Sequence, residues 1–146
     1  MASYKSLQEL LKKSVVWEQH LQDLYDVAGL GLKDERSREL VGKLRDQQKS
    51  NIEILSEIDV EKYGPGEWVR FSIDYHEDKL IPRKTIKRDS SPAEILDSIT
   101  DYEQKLKNYY QAVLDSLRSR EQKELFQSLV RFRDQRIKQI ESLRQR

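Results

Sequence analysis

Glu18 and Glu103 each stand in the middle of an otherwise apolar helical stripe, and each is followed seven residues later by a tyrosine, Tyr25 and Tyr110. A carboxylate on such a stripe is costly unless it meets a cation, a hydrogen-bond donor or a bound ion. The polar side chains available to meet it lie on two further stripes: Gln48 and Asn51 on one, Arg133 with Arg136 near its edge on the other. Two chemistries are therefore open. Carboxylate and amide oxygens suit a hard metal ion. Alternatively, the planar fork of Arg133 reaches both carboxylates and balances them, with Arg136 as a second cation. A blander arrangement is also open, in which Arg133 runs its aliphatic stem out to solvent and the glutamates are held by tyrosine hydroxyls and Gln48.

Four helices have to bring these residues together. A capping box Ser6-x-x-Glu9 opens helix A over 6–29, with Gly29 and Gly31 expected to end it in the left-handed conformation. Asp34 is the expected N-cap of helix B over 35–58. Helix C over 92–117 has the strongest start signal, Ser91, Pro92 and Glu94, and helix D over 120–144 a weaker box, Ser119 with Gln122. The chain also repeats itself at an offset of 85, which carries Leu21 onto Leu106, Leu40 onto Leu125, Leu44 onto Leu129 and Ile52 onto Ile137, as well as Glu18 onto Glu103. The expected fold class is all-α: an antiparallel four-helix bundle of two helical hairpins in a single domain, 1–146.

The segment from 59 to 91 contains Gly64, Pro65, Gly66 and Pro82 and is too long for a simple turn. It is expected to be a crossover travelling the length of the bundle, on the premise that helix C starts near where helix A starts. Trp68, Phe71 and Tyr75, at helical spacing, predict a short helix within it, anchored by its aromatic residues.

Composition narrows the function classes. Hydrophobic and charged fractions of 36% each, with only five Gly and three Pro, match long amphipathic helices better than a sandwich or barrel. A net charge of +1 supplies no field to attract nucleic acid or an anionic membrane, and neither partner is expected. The arginines between Arg131 and Arg146 are interleaved with Asp134 and Glu141, so they form no basic stripe. The lack of cysteine excludes thiolate chemistry and disulfides. No apolar h-region or spanning segment is visible, and a cytoplasmic location is expected.

Helix order, the crossover and the paired Glu-x6-Tyr motif resemble the ferritin-like superfamily, in particular its single-chain rubrerythrin and bacterioferritin-type bundles. That resemblance implies a dinuclear iron or manganese site built from one Glu on each of two helices and a Glu-x-x-His pair on each of the other two. Glu18 and Glu103 match the single-Glu ligands, and Tyr25 and Tyr110 match tyrosines that often stand behind them. The other half departs from the pattern: helix B reads Gln48-Lys49-Ser50-Asn51 and helix D reads Arg133-Asp134-Gln135-Arg136. The implied function is a bundle that has exchanged its di-iron site for an internal ion pair, without cofactor, and serves as a structural or interaction protein. The alternative is a rubrerythrin-like oxidoreductase or metal-handling protein that binds iron or manganese through Glu18, Glu103, Gln48 and Asn51, joined by Asp134 or by His76.

Asp134 enters this second set if helix D is shifted by one residue. His76 lies within the run Asp74-Tyr75-His76-Glu77-Asp78 and would have to be folded over the bundle. His20, two residues from Glu18, is expected to face solvent. Trp17 and Leu24 lie off the centre of the helix A stripe and point to a homodimer through an exposed helix face.

Overall fold

A computed structural model describes residues 3–59, 62, 68–71 and 86–143. Among the described residues four helices dominate: α1, Leu7–Gly31; α2, Glu35–Ser56; α3, Pro92–Ser116; and α4, Arg120–Ser142. They share one core, to which α1 contributes Leu21 and Tyr25, α2 Val41 and Leu44, α3 Leu106 and Val113, and α4 Phe126 and Ile140. No helix in the described residues is long and apolar enough to cross a membrane.

Local sequence sets most of the boundaries. Ser6 caps α1, its hydroxyl accepting from the Glu9 amide at 3.2 Å, and Asp34 caps α2 by accepting from the Ser37 amide at 2.9 Å. At α3 the box closes in both directions: the Glu94 amide donates to Ser91 Oγ at 3.1 Å and the Ser91 amide to Glu94 Oε1 at 3.2 Å. Ser119 departs from expectation. Its hydroxyl donates to Glu121 Oε2 at 3.1 Å instead of accepting from the first turn of α4.

The glycines at the end of α1 also act differently from the expected left-handed stop. The helix runs through Gly31, and Leu32 ends it by turning extended at φ −84° while its amide still donates to the Ala28 carbonyl at 3.1 Å. What glycine provides at position 31 is space, because a Cβ there would lie 2.8 Å from Ile95 Cδ1 of α3.

That close approach corrects the premise about direction. The start of α3 sits beside the end of α1, not beside its start. Backbone-directed hydrogen bonds between the two helices agree, with Tyr109 reaching the Leu10 carbonyl and Tyr102 the Trp17 carbonyl, so that with Ile95 beside Gly31 these three partners fall on α3 in reverse order. A chain leaving the far end of α2 has to recover that distance before Pro92, which is why the connection is long.

Part of the connection forms a strand where a helix is expected. Trp68–Phe71 is β2, paired antiparallel with β1, Ser3–Ser6, in the register Ser3 to Phe71 and Ser6 to Trp68, and it packs against α3. The helical spacing of Trp68 and Phe71 is thus overridden by pairing to the segment before α1. Tyr75 and the run Asp74-Tyr75-His76-Glu77-Asp78 lie outside the described residues.

Candidate functional site

Four ionisable side chains from three helices meet in the core: Glu18 of α1, Glu103 of α3, and Arg133 and Arg136 of α4, all at most 1% exposed. Glu18, Glu103 and Arg133 sit near the mid-length of long helices and Arg136 three residues further along α4, among buried apolar side chains such as Leu21, Leu106 and Ile137. Arg133 is the centre of the cluster. Its Nη1 donates to Glu103 Oε1 and its Nη2 to Glu18 Oε2, both at 2.7 Å, and Nη2 also donates to Gln48 Oε1 at 3.1 Å. The guanidinium therefore lies between the two carboxylates, with its planar fork divided across them.

The rest of the network is reciprocal. Tyr110 of α3 donates to Glu18 Oε1 of α1 at 2.7 Å, and Tyr25 of α1 donates to Glu103 Oε1 of α3 at 3.2 Å. Each tyrosine thus serves the glutamate of the other hairpin. Gln48 turns its amide nitrogen to Glu18 Oε2 at 2.5 Å and to the Glu18 carbonyl at 2.9 Å, while Asn51 Nδ2 reaches Glu18 Oε2 at 3.3 Å. Glu18 consequently collects donors from α2, α3 and α4. Among the described residues Glu103 collects only Arg133 and Tyr25, both on Oε1, and its buried Oε2 has no hydrogen bond to them.

This inequality has an electrostatic consequence. Burial pushes the Glu103 carboxyl above its ordinary range, and the nearby Arg133 and Arg136 cations only partly counter it. For Arg133, burial works against the charge, but Glu103 and Glu18 together outweigh it and hold the guanidinium firmly protonated. Burial, reinforced by the glutamate beside each, raises the Tyr25 and Tyr110 phenols well above their usual range, so both remain hydrogen-bond donors. Burial lowers Arg136 from its ordinary value, and the neighbouring Tyr25 resists that.

Arg136 plays a different part from Arg133. Its Nη1 donates to the Leu44 carbonyl of α2 at 2.7 Å, and its guanidinium carbon lies 5.9 Å from the Tyr25 ring and 4.6 Å from the Phe132 ring. Phe132 also stacks on Arg133 at 4.8 Å, so one half-buried ring covers both cations. Neither Phe132 nor the Leu44 carbonyl belongs to the polar set that the helical stripes of the sequence bring together. A Phe one residue before one core arginine and four before the other is a signal in retrospect; a backbone acceptor leaves none.

The remaining candidates are dispersed. Asp134 lies on the outside of α4, half-exposed, bound to Lys107 at 2.9 Å and Lys138 at 3.4 Å, so the one-residue shift that would bring it inward does not occur. The Lys107 hydrogen bond holds its carboxyl below the ordinary range. His76 lies outside the described residues, and His20 is half-buried instead of open to solvent. Trp17 is a correction. It is buried, edge-on to Tyr109 with centroids 4.3 Å apart, and its carbonyl accepts from Tyr102 at 2.9 Å, so it contributes nothing to an exposed dimer face.

The donor set does not suit the pair of iron or manganese ions that the ferritin-like resemblance implies. Among the described residues no three His, Cys, Asp or Glu side chains converge, and the Arg133 guanidinium fills the space between the two acids that do. Gln48 and Asn51 are neutral, and Arg136 adds a second positive charge beside the first. No family model, curated protein or solved structure matches this chain.

Proposed function

We propose that this protein is an antiparallel, ferritin-like bundle of two related hairpins in which an arginine stands where a metal centre would, and that it works as a non-catalytic structural or interaction protein. The observation that carries the reading is the position of Arg133, with one nitrogen 2.7 Å from each buried carboxylate. A fixed cation there, with Arg136 as the second positive charge, balances the two acids and offers no open coordination position, which substrate activation by a metal requires. The reciprocal tyrosines, each reaching the opposite glutamate, support descent of both hairpins from one design.

The reading is tested by elemental analysis of protein purified without chelators, followed by anaerobic Fe(II) addition and exposure to oxygen. Sub-stoichiometric metal and no protein-dependent oxygen uptake are expected. Stoichiometric iron or manganese that disappears in Glu18→Gln/Glu103→Gln would overturn the proposal.

A further inference from the structure

The two core arginines divide between them what keeps a metal out, and that division defines what the site would accept. Arg133 occupies the space: its two Nη atoms donate to Glu18 Oε2, Glu103 Oε1 and Gln48 Oε1. Arg136 occupies no part of that space. It is held on the Leu44 carbonyl and the Phe132 face, from where its charge still acts on Glu103. With the Arg133 side chain cut back, the surroundings would keep three oxygen acceptors in guanidinium geometry. With both carboxylates ionised, as they are when a cation is bound between them, the charge of Glu18, Glu103 and Arg136 sums to minus one. A monovalent planar cation balances that charge. A divalent ion would leave a buried excess of positive charge, which is strongly unfavourable in an apolar core.

We propose that the acceptors around Arg133 are selective for a guanidinium group, so that a chain with the Arg133 side chain cut back takes up a free guanidinium-type monocation in its place, and that the charge of Arg136 sets this selectivity against divalent metals. The inference rests on the reading of Arg133 as a stand-in for metal and adds the ligand class of the site. It assigns to Arg136 a role that packing alone would not require.

The test uses Arg133→Ala titrated with ethylguanidinium at low millimolar concentration, far below denaturing levels, with ethylammonium as the control cation. A saturable rise in Tm that recovers most of the loss is expected with ethylguanidinium and not with ethylammonium, and no rise in Glu18→Gln/Arg133→Ala. If Arg133→Ala is unfolded alone, the same titration is read as recovery of helical circular dichroism. Absence of both recoveries overturns the proposal. Manganese uptake supplies the second arm: Arg133→Ala should bind none, and Arg133→Ala/Arg136→Gln one ion per chain. Equal uptake by the two variants, or none by the double variant, removes the selectivity role of Arg136. The metal content of the wild-type protein, measured in parallel, keeps the two claims apart. Stoichiometric metal there refutes the parent reading, whereas a metal-free wild type with no guanidinium rescue refutes only this one.

Discussion

Arg133 is worth most as a partner, because its removal strands two carboxylates that have no access to water. Arg133→Leu should cost about 3–5 kcal/mol of unfolding free energy in urea titrations. Neutralising the acids at the same time, in Glu18→Gln/Glu103→Gln/Arg133→Leu, should recover much of that loss, since an apolar replacement of a buried ion pair is often close to neutral. Unchanged stability in the single variant would contradict the burial of the guanidinium. The tyrosines offer a finer comparison. Tyr110→Phe removes a 2.7 Å bond to Glu18 and Tyr25→Phe a 3.2 Å bond to Glu103, so the first should be the costlier, on the order of 1.5–3 kcal/mol for a hydrogen bond to a charged group. At this scale the residue types were readable from the stripes, because a charge at an apolar position demands explanation. The Arg133 fork across both carboxylates was one of the arrangements the stripes left open, whereas the choice of glutamate by each tyrosine and the Leu44 carbonyl that holds Arg136 were not readable, since they depend on which helices face each other.

For the helices, glycine position separates local cost from packing need. Nothing lies within 4 Å of a Cβ built on Gly42, so Gly42→Ala should stabilise α2 by up to about 1 kcal/mol through helix propensity. Gly31→Ala should destabilise, because the same methyl meets Ile95 Cδ1 at 2.8 Å, and thermal melts of the two variants should shift in opposite directions. Helix starts were legible wherever a side chain does the capping, as at Ser6, Asp34 and Ser91. The end of α1 was misread because Gly31 answers to a neighbouring helix, and that neighbour is invisible in a local window. Trp68–Phe71 was misread for a related reason: four residues satisfy a helical spacing and a strand equally well, and pairing with Ser3–Ser6 decides between them.

For the molecule as a whole, proton linkage gives the core a distinctive pH response. Burial raises the Glu103 carboxyl above its ordinary value of 4.5, so between that value and the folded-state value the folded chain binds the proton more tightly than the unfolded chain. Its contribution to stability is therefore full below pH 4.5 and is lost as pH rises through the folded-state value. Asp34 and Asp134 act oppositely: their carboxyls are lowered, by the Ser37 and Lys107 hydrogen bonds respectively, so the stability they add is lost on acidification. Unfolding free energies of the wild type and of Glu103→Gln, followed from pH 4 to pH 8, should show the wild type losing ground to the variant as pH rises. A constant difference would mean that Glu103 does not change its proton affinity on folding.

Residue type and spacing along the chain are enough to account for the four helices, the long connection between the second and third, and the set of polar residues on their buried faces. Capping chemistry and a helical period are properties of short stretches, and a charge on an apolar face declares itself without any coordinates. It took the packed helices to establish that α3 starts beside the end of α1, that Asp134 turns outward to two lysines, and that Arg133 lies between the glutamates while Arg136 stands apart on a carbonyl. Those outcomes depend on how far one helix axis lies from another and on which backbone oxygen comes within reach. Both distances are set by the packing of all four helices together, and no single stretch of the chain contains them.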